Sequence, residues 1–242
     1  MKLEMYKIFY EIQKTHWWFV VKKIIILEQI KKYFNKSENS KILDIGCGSG
    51  LMLNSLNQFG KTYGMDNSVE AVKFSKEIYN GEVRIGNLPT DLPYSVKIFD
   101  LIIALDVIEH IECDIESLEA INSLLKSDGM AIITVPAYMF LWSSFDDINE
   151  HKRRYTLNEL KNKLIKANFK IVKISYYNTI LFPIIYVIRK MSVILKKDPW
   201  SDLKKPNKII NYVLTKIFEI EKYLLREINF PFGVSIIAIV KK

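Results

Sequence analysis

Three groups of residues in this 242-residue chain have the types and spacing to do chemistry. The first is Asp44-Ile45-Gly46-Cys47-Gly48-Ser49-Gly50, where the strand-like Ile42–Ile45 runs into alternating glycines and then helix-like Leu51–Leu56. Such a turn brings bare backbone N–H groups close to a ligand, and glycine is required because a side chain would hold the ligand away. Asp44 would repel a pyrophosphate and welcome an ammonium group. The spacing also differs from the G-x-G-x-x-G of dinucleotide sites. The second group, Asp106-Val107-Ile108-Glu109-His110, closes the apolar run Phe99–Leu105. The third, His151-Lys152-Arg153-Arg154-Tyr155, combines an imidazole suited to proton transfer with two guanidiniums suited to an acidic group. In both, a structural role competes. Asp106, Glu109 and His110 would also serve to cap the next helix, and the arginines would also pair with Asp146, Asp147 or Glu150.

The elements that position these groups alternate between strand and helix. Residues 2–35 read as one or two helices containing the cluster His16-Trp17-Trp18-Phe19, which would either close over a ligand or pack on the sheet. Thr62–Asp66 reads as the second strand, with Asp66 at its end able to accept both hydroxyls of a ribose; Asn67 and Ser68 cap the helix that follows. Val83–Ile85 is the third strand, ending at Gly86-Asn87-Leu88. Phe99–Leu105 is a central strand buried on both faces, so ligands belong at its carboxyl end. A helix is expected over Ile115–Leu125, a turn over Lys126–Gly129 and a strand over Met130–Val135. A long connection, Ala137–Arg154, is rich in aromatic and charged residues, including Tyr138 and Trp142. Thr156 and Glu159 form a capping box for a helix reaching Ala167. Lys170–Tyr176 and Val234–Val240 read as strands. Between them lie Leu181–Ile188, the basic linker Lys196–Lys208, and one amphipathic helix, Ile209–Ile228, presenting Val213, Leu214, Ile217, Ile220 and Leu224 on one face.

Taken together, the D-x-G-x-G-x-G turn, the LDVIEH and LLKSDGMAIITVP runs, and the H-x-R-R-Y stretch resemble the class I S-adenosylmethionine-dependent methyltransferases, particularly their small-molecule members. The resemblance implies an α/β, Rossmann-like, doubly wound seven-stranded sheet, mostly parallel with an antiparallel last strand. N-terminal helices and a helical insertion before the last strand complete it. With no repeat, low-complexity segment or clear linker, the chain reads as one domain over 1–242: a lid (1–40), a cofactor-binding core (41–176), the insertion (177–230), longer than the closing hairpin needs, and the last strand (231–242). The resemblance assigns cofactor contacts to Trp18, Asp44, Gly46, Cys47, Gly48, Gly50, Asp66, Asn67, Asn87, Leu88, Leu105, Asp106 and Val107. Tyr138, Trp142, Arg153 and Arg154 become substrate residues, and His151 and His110 candidates for catalysis. The cofactor is S-adenosylmethionine, leaving S-adenosylhomocysteine. No metal is expected, because His110 has no second histidine at helical spacing.

Composition bounds the remainder. Hydrophobic residues make up 49% and charged residues 26%, an ordinary globular balance. Two cysteines, Cys47 and Cys113, suggest no disulfide framework, and with no signal peptide visible a cytoplasmic setting is expected. Residues 161–242 hold 15 Lys and 2 Arg against five acidic residues, which points toward an anionic partner. The acceptor is expected to be a sugar, quinone or lipid-linked metabolite. The insertion is expected to lie peripherally on a membrane, cover the site or form a homodimer interface. An RNA or protein acceptor, or adenosyl binding without catalysis, is the alternative. Nucleic acid is disfavoured by the lack of an N-P-P-Y-type stretch.

Overall fold

In the computed structural model, which describes residues 3–37, 39–195 and 206–242, seven strands form one sheet in the order β3-β2-β1-β4-β5-β7-β6. The central strands are β1 (Lys41–Ile45), β4 (Phe99–Leu105) and β5 (Leu125–Pro136). They are almost continuously apolar because helices cover both faces, as parallel pairing through crossovers requires. β2 (Lys61–Asp66) and β3 (Glu82–Ile85) extend the sheet in parallel on one side. On the other, β7 (Ser235–Lys241) slots antiparallel between β5 and the edge strand β6 (Lys170–Tyr177). The expected Rossmann-like, doubly wound sheet with an antiparallel last strand is therefore present.

Three local expectations differ. The helix after the glycine turn shortens to α3 (Leu53–Leu56). Lys126–Gly129, with the Ser-Asp-Gly chemistry of a turn, is instead drawn into β5, where a register shift opposite Phe99/Leu101 absorbs the extra residues. Ile209–Ile228 is not one helix but α9 (Lys208–Glu219) and α10 (Glu221–Glu227), divided at Ile220. The break lets the buried Glu221 carboxylate accept the N–H groups of Thr179 and Ile180 at 2.7 and 2.8 Å. Of the expected apolar face, Leu214 and Ile217 pack on the core while Val213, Ile220 and Leu224 are exposed; the fully buried anchor is Phe218.

Of the N-terminal helices α1 (Leu3–Thr15) and α2 (Trp17–Tyr33), α2 packs on both α9 and α10. The remaining helices are α4 (Val69–Ile78), α5 (Asp114–Leu124), α6 (Ser144–Ile148), α7 (Leu157–Lys166) and α8 (Phe182–Ile194). Ser68 caps α4 by accepting the Ala71 N–H, and Thr156 with Glu159 forms the capping box of α7. Most of the basic linker Lys196–Lys208 lies outside the described residues. Among the described residues no helix is long and apolar enough to cross a membrane, and Cys47 and Cys113 are free thiols.

Candidate active site

β1 and β2 end side by side, and the glycine turn leaves β1 with Gly46, Gly48 and Gly50 at φ of +68°, +52° and +74°. A Cβ on Gly46 would stand 2.5 Å from Val107 Cγ2, so that position admits glycine alone. On Gly48 a Cβ would meet nothing nearer than 3.9 Å, leaving open space on the ligand side. The expected row of bare N–H groups is not there. Gly46 and Cys47 donate to the Met65 carbonyl at 2.8 and 3.1 Å, Gly50 to the Cys47 carbonyl, and Gly48 to Asp66 Oδ2 at 2.8 Å. The turn is lashed to β2, and what it offers a ligand is carboxylate oxygen.

Two such carboxylates flank it. Asp44 is 3% exposed, and burial, reinforced by the Asp66 carboxylate and only partly offset by the Lys22 ammonium, pushes its acid up to about 8. A neutral buried acid is poised to ionise when an ammonium group arrives. Asp66 accepts the Gly48 and Ser68 N–H groups on separate oxygens, each keeping a further lone pair. Burial also raises its pKa, against the pull of the Ser68, Gly48 and Asn67 N–H groups.

A cavity of about 880 Å³ is lined by Asp66, Asn67, Asn87, Leu88 and Val107. A second, of about 560 Å³, is lined by Trp18, Asp44, Cys47, Gly48, Leu105 and His151. The two share Gly46, Asp106 and His110 and so meet at the end of β4. Gly50, buried behind α3, lines neither. The joined cleft fits an adenosyl ligand with a free amino-acid end, since Asp44 in the smaller cavity matches an ammonium and Asp66 in the larger one a diol.

The N-terminal helices close this cleft. Gln13 Oε1 accepts the Ser49 hydroxyl at 2.5 Å, tying α1 to the glycine turn. His16 caps α2, and Trp18 lies nearly parallel to Phe218 at 5.5 Å (8°) and to Tyr177 at 6.0 Å (10°). One turn further along α2, Lys22 Nζ reaches Asp106 Oδ2 at 2.5 Å. Asp106 sits at φ +56°, and its Oδ1 accepts the Thr134 hydroxyl at 2.8 Å. Burial would raise the Asp106 acid, but the Lys22 ammonium and these hydrogen bonds hold it below the usual carboxylate range.

At the far end, Ile108–His110 forms a single 3₁₀ turn and α5 begins only at Asp114, so Asp106, Glu109 and His110 do not cap that helix. His110 meets His151 edge to face, ring centroids 4.6 Å apart. Burial, and then the His151 imidazole, lowers the His110 pKa. His151 Nδ1 lies 2.8 Å from Asp146 Oδ1, leaving Nε2 for the cavity. Asp146 is fully buried and also takes a two-pronged grip from Arg154, Nε and Nη2, at 2.8 and 2.9 Å. Burial alone would raise this carboxyl; the His151 hydrogen bond and the guanidiniums of Arg154 and Arg189 hold it at about 2.

The expected substrate residues are placed differently. Arg154 lines the smaller cavity, but its guanidinium is engaged by Asp146 and the Ala137 carbonyl. Arg153 lines neither cavity and braces the loop instead, through Asp114 at 2.9 Å and Glu112 at 3.2 Å. Tyr138 stacks between Phe140 and Tyr176, and Trp142 Nε1 donates to Asp147; both lie outside the cavity linings. In their place the insertion supplies Ile185, Ile188, Arg189 and Leu214 as cavity wall. Asp146 holds Arg154 as the bracing alternative expected; Lys22 and Asn178, the latter buried with neither side-chain atom hydrogen-bonded among the described residues, are the features that sequence reading missed. Only the spacing of Lys22 from Trp18, one helical turn, could have signalled any of them.

Comparison with known proteins agrees with this fold. Residues 23–174 match the family described as "Methyltransferase domain", and the chain belongs to that family. An uncharacterised protein of Methanocaldococcus jannaschii, MJ0638, is 30% identical over 201 residues, covering 81% of each chain. The ubiquinone biosynthesis O-methyltransferase of Rickettsia typhi is 32% identical over 127 residues, 48% of this chain and 50% of that protein. The chain spans about half the length of several such curated relatives. A TehB-like SAM-dependent methyltransferase from Corynebacterium glutamicum shares the fold, with TM-score 0.54 at 17% identity over 92% of this chain and 88% of that one.

Proposed function

We propose that the chain methylates a hydroxyl group on a small, largely apolar acceptor, a quinone-like or lipid-linked metabolite. The observation carrying this reading is the His151–Asp146 pair, an imidazole held by a buried carboxylate at the wall of the cavity that Ile185, Ile188 and Leu214 also line. S-adenosylmethionine, when bound, supplies a methyl group on a sulfonium. Asp44 takes its ammonium end, Asp66 the ribose hydroxyls and Asn87 the adenine amine. Trp18 and Phe218 exclude water from the cleft. His151 Nε2 accepts the acceptor's hydroxyl proton, and Asp146 stabilises the resulting imidazolium. Asn178 has an unengaged amide for a polar group of the acceptor.

The likeness to ubiquinone O-methyltransferases supports a small-molecule acceptor. The wall of Ile185, Ile188 and Leu214 favours an apolar one. The same helices also expose Ile184, Val187, Met191, Ile209 and Val213. We assign these side chains to a lipid surface from which the acceptor is drawn, rather than to a second copy. The test is release of S-adenosylhomocysteine with a host lipid extract and, separately, with the soluble metabolite pool. Turnover on the lipid fraction is expected; turnover on the soluble pool alone discards the lipid assignment. Asp146→Asn should lower kcat by roughly ten- to a hundredfold while leaving S-adenosylmethionine affinity unchanged. An unchanged kcat removes the base.

A further inference from the structure

Glu109 is the least explained side chain of the site. It is fully buried, yet neither carboxylate oxygen has a hydrogen-bond partner among the described residues. Buried unpaired carboxylates are costly, and structures keep them where something is to be bound. Glu109 lines the smaller cavity together with His110 and His151. One carboxylate oxygen and one nitrogen from each imidazole lie within 4.8 Å of one another.

We propose that Glu109, His110 and His151 form a binding site for a divalent first-row cation such as Zn²⁺ or Mn²⁺, with positions left open for the acceptor's oxygen. Two imidazoles and one carboxylate are the donor set that such ions take, and three protein ligands leave room for a further one. Bonds of about 2.0–2.2 Å bring ligand atoms to roughly 3–3.5 Å from each other, a contraction that side-chain rotation provides. The His151 Nδ1 contact to Asp146 supplies the outer carboxylate that orients a metal-bound imidazole and leaves Nε2 as the donor atom. Asp106, bound to Lys22 and Thr134, stands beside the site without joining it.

The inference rests on the methyl-transfer reading and deepens it. In the metal-bound enzyme His151 is a ligand. The acceptor's hydroxyl coordinates the cation, its O–H bond breaks, the electron pair stays on oxygen and the proton leaves to solvent. The imidazole base then describes the metal-free enzyme alone.

The experiment is calorimetric titration of the metal-stripped full chain with Zn²⁺ and with Mn²⁺, together with the visible absorption spectrum on adding Co²⁺. One ion per chain and a Co²⁺ band of low-symmetry nitrogen–oxygen coordination are expected. His110→Ala and the isosteric Glu109→Gln should each weaken binding by roughly tenfold or more. Cys113→Ser, at the exposed thiol, should leave it unchanged. Absence of binding, or binding that His110→Ala leaves intact, overturns the site. If the metal fails to bind while Asp146→Asn still lowers kcat, the base reading stands alone; if no fraction supports methyl transfer, the functional reading falls independently of the metal.

Discussion

Asp44 makes the affinity for S-adenosylmethionine depend on pH in a direction that can be worked out in advance. In the free protein its acid sits at about 8, so at pH 7 only roughly a tenth of the molecules carry the charge that an ammonium needs. Ionising it costs about 1.4 kcal/mol at pH 7 and about 2.7 kcal/mol at pH 6. The ligand's α-amino group ionises oppositely, with an ordinary pKa of about 7.7–8.0. Multiplying the two ionised fractions gives an affinity that rises roughly eightfold from pH 6 to pH 7, peaks near pH 8 and falls beyond it. Binding at pH 6.5 should release close to one proton, read by calorimetry in buffers of different ionisation enthalpy. Asp44→Asn should abolish both the slope and the proton release. The same acid destabilises the free protein as pH rises from about 4 to 8, because only the unfolded chain sheds its proton there. Thermal stabilisation by the ligand should accordingly grow from pH 6 to pH 8. Affinity that stays flat from pH 6 to pH 8 with no proton release would refute the pairing of Asp44 with the ammonium.

Two further substitutions test the lid and the loop. Phe218→Ala removes a fully buried ring stacked on Trp18 and should cost about 3–5 kcal/mol in denaturant unfolding, with a loss below about 1 kcal/mol showing that the lid does not depend on α9. Arg153→Ala should leave the acceptor KM unchanged and cost no more than about 1 kcal/mol, because its partners Asp114 and Glu112 lie outside the cavities; a marked rise in KM would restore it as a substrate residue.

What could be read in advance divides by distance along the chain. The glycine turn, the Asp66 strand end and the apolar run before Asp106 were legible because each is consecutive, and consecutive residues report backbone conformation directly. The break at Ile220 was not legible: helical periodicity counts apolar residues and cannot see that Glu221 turns inward to meet Thr179 and Ile180. Nor could the long loop reveal which of its acids the arginines choose. Arg154 takes Asp146 from the expected set, but Arg153 reaches across to Asp114 at the start of α5 and to Glu112 just before it.

The two clustered histidines show the same limit. Judged by helical spacing, His110 has no histidine partner, because that test asks what one helix can place on one face. The sheet solves the problem differently. β4 delivers Glu109 and His110 at its carboxyl end, β5 beside it launches the loop that returns His151, and the buried Asp146–Arg154 pair anchors that return. A site assembled from neighbouring strand ends is invisible to spacing along the chain, yet it follows from the parallel sheet that the sequence does announce. The informative expectation is therefore about strand ends that lie adjacent in the sheet, since their loops bring distant residues within reach of one ligand.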